Sequence, residues 1–441
     1  MKSTLLISGP TLSLIAVLAM PAQTNAQIHS VTQNQNPPHY TVIDLGTLGG
    51  TFSVGYGINK AGQVGGGATL LDGNERPFVW YGGHMTALGT LGGLNGDAGE
   101  PNDKGEISVT AETSTPDANG EDFCGFGTPL QCLAAIWKNG VMTALPTLGG
   151  TNAESFKINN RGQVIGVAEN STRDGSCVSP QVLDFEAAIW EPNGEIRELP
   201  PLLGDSVGFA GWGNDEGQVV GSSGSCANST LVPLAAFPHA VLWENGSPIY
   251  LGSLGGTMIG VAAGNNDVGE VDGASDLPTE TPGFPSVQIH GFLWTKDRGM
   301  QDIGTVGNDF SSLPTSINNH GQMVGTSCDI DGNCRAFLRQ GRVMTDLNAL
   351  IPADSPLYLI FGWDINDAGQ IAGQALETST GDIHAFLATP RDPDRPGTEW
   401  RGADAGEADE ITERPSLVLP ENARKMLRQQ LGRRYHLGGL K

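Results

Sequence analysis

The sequence predicts an all-β fold, a seven-bladed β-propeller of four-stranded antiparallel blades. Three observations carry that prediction. A glycine-rich motif recurs seven times, residues 40–390 show no helical period, and a strand-like segment at the start matches what the last repeat lacks. The 63 glycines and 27 prolines, with only 16% charged residues, suit a chain of many tight turns.

Each repeat has three recurring parts. The first reads DLGTLGG at 44–50, ALGTLGG at 87–93, ALPTLGG at 144–150, ELPPLLGD at 198–205, YLGSLGG at 250–256, DIGTVGN at 302–308 and, worn, DLNALIP at 346–352. The second is an Asn-x-x-Gly turn followed by a short apolar run, as in INNRGQVIG at 158–166. The third is LAAIW at 133–137, HAVLW at 239–243, HAFLA at 384–388 and their equivalents. Cycles of about 40–57 residues, punctuated this way, are those of propeller blades.

Strand A should run from the Gly-Gly pair to the turn asparagine, as in Thr51 to Asn59. Asparagine tolerates unusual backbone angles and glycine takes positive φ, so Asn-x-x-Gly suits a tight A–B hairpin. Strand B follows, as in Gln163 to Val167, and the Ala-Phe-Leu-Trp element is strand C. A turn such as Lys138-Asn139-Gly140 then leads into strand D, Val141 to Leu145. The last repeat stops after its strand C, at Thr389, while Tyr40 to Gly46 is an orphan strand D. Pairing the two would seal the ring and leave no sheet edge at the join.

These elements resemble those of the HAF-repeat family of bacterial extracellular proteins, named for the tripeptide that stands here as His384-Ala385-Phe386. The resemblance covers about 40–390 and implies an exported repeat protein; it implies no particular activity. Arg339 and Ala388 depart from the pattern where other repeats carry Trp.

The termini differ in kind from the repeats. Lys2, an apolar stretch from Leu5 to Met20 and small residues up to Ala26 read as a signal peptide over 1–26, followed by a flexible leader over 27–39. Residues 391–419 read as a linker, and 420–441 as a short basic amphipathic helix. In that helix Ala423, Met426, Leu427 and Leu431 fall at helical spacing among Arg424, Lys425, Arg428, Arg433 and Arg434. Such a tail could contact an envelope surface or the acidic propeller. A secreted or periplasmic location follows, and a monomer is expected.

All six cysteines fall in the loops between strands B and C, and an oxidising compartment lets them pair. We expect Cys124 with Cys132, Cys177 with Cys226, and Cys328 with Cys334. The formal net charge of −24 lies before the near-neutral tail and argues against nucleic-acid or anionic-lipid partners. The B–C loops vary most in length, so that face is the expected binding face, and the uniform A–B turns the scaffold.

Candidate chemistry is sparse. Trp212 and Trp363 fall on strand A, where an indole near the channel could stack on a ligand. Trp80, Trp137, Trp190, Trp243 and Trp294 recur in register and should pack between blades. Asp329, Asp331 and Asn333 alternate like calcium ligands, but Gly332 comes too early for a calcium loop, and an Asp-Gly turn explains them equally. No other cofactor is expected. His239, His290 and His384 share one repeat position, which Leu133 also fills, so hydrogen bonding is preferred to metal binding. Acidic residues assigned to the B–C loops include Asp117, Glu121, Asp174, Asp184, Asp272, Asp276, Glu377 and Asp382. The sequence therefore reads as a non-enzymatic binding or adhesion protein for an extracellular protein or glycan. The alternatives are a polysaccharide hydrolase or lyase using channel-side carboxylates, and a structural envelope protein.

Overall fold

The computed structural model describes residues 37–228, 237–278, 287–391 and 417–435, with side chains to Gln429 in the last span. The expected signal peptide and the leader up to residue 36, most of the expected linker, and the side chains of Leu431, Arg433 and Arg434 lie outside the described residues. The unit from residue 37 onward is an all-β, propeller-like fold whose blades are four antiparallel strands.

Its strands form five four-stranded sheets and one of eight, where the sequence predicts seven separate blades. The difference has a local cause. The inner strands of the second and third repeats, Gly92–Pro101 and Gly149–Ile158, share one parallel bridge between Glu100 and Lys157, and this joins their sheets. Elsewhere each repeat runs A-B-C-D from inside to outside. In the first repeat these strands are Ser53–Ile58, Val64–Thr69, Glu75–Tyr81 and His84–Ala87.

The last sheet is composite. Tyr40–Gly46 pairs antiparallel with Ile383–Pro390, from Tyr40 opposite Pro390 to Gly46 opposite Ala385. The orphan strand thus occupies the place that the seventh repeat leaves empty. Tyr40 and Leu45 are buried, and His384 Nδ1 lies 2.8 Å from Asp44 Oδ2 across this join.

The core is divided among interfaces between sheets, as a repeat with modest hydrophobic content requires. Ile58, Val64, Phe78 and Trp80 of the first repeat pack on Ala372, Ala385 and Leu387 of the last. Trp212, Val220 and Leu242 pack on Ala262, Val271 and Phe292. The recurrent tryptophans belong to these interfaces. Trp190 and Trp243 are fully buried, and each indole donates at 2.7 Å to a proline carbonyl, that of Pro146 and of Pro200.

The A–B turns are built alike in all seven repeats. The glycines at their ends, Gly62 to Gly369, have φ between +71° and +84°, which a side chain would strain. The asparagine of each turn ties one repeat to the next. Asn59 Nδ2 donates to Asn102 O, and so on through Asn159, Asn214, Asn266, Asn318 and Asn366, at 2.9–3.2 Å. The last of these, Asn366, donates back to Asn59 O at 3.0 Å. A second series links the following residues, from Lys60 N donating to Asp103 Oδ1 to Asn319 N donating to Asp367 Oδ1. Its seventh place falls on Lys60, which has no acceptor.

Candidate functional site

The inner strands carry a β-bulge just before the turn. Register shifts occur between Gly55 and Gly57, Ser155 and Lys157, Ala210 and Trp212, Ala262 and Gly264, Pro314 and Ser316, and Gly362 and Asp364. A bulge places two consecutive residues against one and re-aims their side chains. Here it divides the space between the inner strands in two. Residues three before the turn asparagine, including Tyr56, Ala263 and Trp363, join an apolar cluster. Residues two before it, including Glu100, Lys157, Trp212, Ser316 and Asp364, line a polar cavity of about 270 Å³ whose rim is the A–B turns.

That position varies from repeat to repeat: Gly57, Glu100, Lys157, Trp212, Gly264, Ser316 and Asp364. Lys157 stands at the centre of its chemistry. Its Nζ lies 2.5 Å from Glu100 Oε2 and 3.9 Å from the centroid of the Trp212 ring, an ion pair and a cation–π contact on one ammonium. Burial pulls its pKa down, but the charges of Glu100 and Asp364 outweigh burial and hold it above the ordinary lysine value. Asp364 accepts from Ser316 Oγ at 2.6 Å, Ile58 N at 2.8 Å and Ile365 N at 2.9 Å, and burial still raises its pKa.

The two glycines in this ring make room for acids. A Cβ on Gly57 would lie 2.5 Å from Glu100 Cα, and one on Gly264 would lie 2.6 Å from Asp272 Oδ1. Asp272 is therefore not a loop residue as expected. It lies within strand B, Val271–Asp276, fully buried behind the inner strand, where burial pushes its carboxyl up to about 8.

Trp212 lines the cavity, whereas Trp363 does not. Trp363 is buried in the apolar half, stacked on Phe361 at 4.2 Å and edge-on to Tyr56, with its indole donating to Gln374 Oε1. Asp329, Asp331 and Asn333 form a hairpin turn closed by the Cys328–Cys334 disulfide. Asp329 accepts from the amides of Asp331 and Asn333 and from Asn333 Nδ2, each at 2.9 Å, and Asn333 Oδ1 accepts from Leu419 N. The Asp329 oxygens thus serve the turn, and that of Asn333 holds Leu419. The other two disulfides are Cys124–Cys132 and Cys177–Cys226. Asp174 and Asp184 approach the latter, but its sulfurs are bonded to each other and supply no thiolate.

The three histidines do not meet. His239 pairs with Asp205 at 2.8 Å, His290 with Asp302 at 2.9 Å and His384 with Asp44, each an ion-pair position between strand C and the glycine-rich crossing. Among the acids expected in the B–C loops, several hold backbone. Glu121 accepts from the amides of Val182 and Leu183, and Asp276 from those of Thr257, Met258 and Ile259. Asp117 accepts from Thr151 Oγ1 and Asn152 Nδ2.

Neither a protein-family model nor a curated protein sequence matches the chain. Solved structures similar to it include an acylaminoacyl peptidase from Pyrococcus horikoshii, at 11% identity over 74% of this chain and 49% of that one, with a TM-score of 0.42. An oligogalacturonate lyase in complex with manganese matches at 11% identity over 81% and 97%, TM-score 0.44. The SapL1 lectin in complex with alpha methyl fucoside matches at 12% identity over 67% and 96%, TM-score 0.33. The chain spans about half the length of the peptidase.

Proposed function

We propose that the protein is an exported, non-enzymatic binding protein built as a closed seven-bladed propeller, and that its ligand enters the polar cavity from the A–B face. The eight-stranded sheet then counts as two blades sharing one bridge, and Tyr40–Gly46 completes the seventh. One observation carries the binding reading. Of seven equivalent positions, five line one cavity with two acids, a lysine, a tryptophan and a serine, and the other two are glycines, while the turn beside them keeps its asparagine in every repeat. A scaffold would fill such buried positions with small neutral residues, because burying a charge costs stability even when it is paired. Lys157 and Glu100 side chains are only 14% and 16% exposed, so this arrangement answers to a ligand better than to folding.

The lining of one indole, one ammonium, carboxylates and amides suits the polar end group of an extracellular glycan, and the volume suits one residue of it. Screening residues 27–441 on a glycan panel tests this. Trp212→Ala and Lys157→Met should each weaken the best ligand by about tenfold or more. Asp382→Ala, in an exposed B–C loop, should not. Equal loss in both sets, or loss only at the loop, overturns the cavity as the site. Steady release of shortened sugars would instead favour hydrolysis or lysis, with Glu100 and Asp364 as the carboxyls to test.

A further inference from the structure

At the opposite, B–C end of the inner strands the apolar half of the space is covered by the chain's own C-terminal segment. The helix Glu421–Tyr435 and the residues before it place Leu419, Ala423 and Leu427, all buried, in one cluster with Leu313, Tyr358, Ile360, Leu376 and Ile383. We propose that this mouth is a binding groove for an amphipathic helix, and that its resident, residues 417–429, is exchangeable with the same segment of a second copy.

The contacts are those of a ligand in a groove. The helix docks by one side only: Glu421, Asn422, Lys425 and Gln429 stay exposed while Ala423 and Leu427 are buried. Among the described residues, no ladder joins it to a sheet. Its entry is held by side chains of the groove, with Leu417 N donating to the Tyr358 hydroxyl at 3.4 Å and Leu419 N to Asn333 Oδ1 at 3.0 Å. Arg424 donates to the Asp331 carbonyl at 3.2 Å, which ties the helix to the groove rim. That rim is fixed independently of the helix, by the Cys328–Cys334 disulfide and the Asp329 turn. Isolated helices of about 12–15 residues are marginal in water, so this one draws its order from the groove. Groove recognition of this kind reads apolar anchors three and four residues apart, and within the helix Ala423, Met426 and Leu427 stand at those steps, with Leu419 anchoring the segment just before it.

The test keeps the full chain. Leu419→Asp with Leu427→Asp should release the segment while leaving the propeller intact. A labelled peptide of residues 415–435 should then bind this variant one to one, and about tenfold or more tighter than it binds the wild type, whose tethered segment competes at high effective concentration. Adding Tyr358→Asp should abolish that binding. The proposal fails if the released variant loses its cooperative unfolding transition, for the segment is then part of the core. It fails equally if the variant melts like the wild type and does not bind the peptide.

Discussion

Deleting residues 40–46 is expected to abolish the folded monomer. Tyr40 and Leu45 are buried, and burial of each such side chain contributes about 1.5–3 kcal/mol. The deletion also removes every pair from Tyr40–Pro390 to Gly46–Ala385 and the Asp44 partner of His384. Against a typical total of about 5–15 kcal/mol, that loss is most of the stability. It leaves Ile383–Pro390 as a bare edge, a template for another chain. Size-exclusion chromatography should show aggregates or oligomers, and calorimetry no native transition. A monomer melting with the wild type would show that the strand is dispensable. Asp44→Asn is the milder form. It removes the carboxylate that holds the His384 pKa above its ordinary value, so stability that the pair contributes below about pH 6.5 should vanish, with little change at pH 9.

Stability should fall steadily as pH rises from about 4 to about 9. Burial raises the Asp272 carboxyl to about 8 and, with nearby acids adding to it, that of Glu186 to about 9. Both therefore bind protons more tightly folded than unfolded. Their contribution is fully present below the ordinary carboxylate range and is lost as pH climbs through the folded values. Within its window each group removes at most about 1.4 kcal/mol per pH unit. The denaturant midpoint at pH 5 should exceed that at pH 9, and Asp272→Asn with Glu186→Gln should flatten the slope. An unchanged slope in the double variant would place the dependence elsewhere.

Most of the blade plan was legible in the sequence, because strands, turns and disulfide loops depend on local residue types. Asn139-Gly140 turns as its composition requires, with φ of 50° and 84°, and the three cysteine pairs are those that the loop positions suggest. The site was less so. Loop length pointed to the B–C face, whereas the cavity opens among the uniform turns. Glu100, Lys157 and Asp364 carry no local motif, because they are distant in sequence and meet only through the arrangement of the repeats. Aligning the repeats on the turn asparagine and reading two residues back would have found them. Trp212 and Trp363 looked equivalent on strand A, but the bulge separates them by one place and sends them to different halves. The joining of two sheets at Glu100 and Lys157 is a backbone event with no sequence mark.

That bulge has a consequence for how such a molecule can change. The residue it leaves out of the ladder is the one before each lining residue, and the lining position itself stays paired: Lys157 lies opposite Ile165, Trp212 opposite Val220 and Asp364 opposite Ala372. Substitution at the lining position keeps the ladder but must fit the neighbouring repeat, since Trp212 packs on Ala262 and Val271 and a Cβ on Gly57 would lie 2.5 Å from Glu100 Cα. Neighbouring positions are therefore read together, as Glu100 with Lys157, Lys157 with Trp212 and Ser316 with Asp364 show, and the chemistry of such a pocket diversifies by matched changes on adjacent repeats.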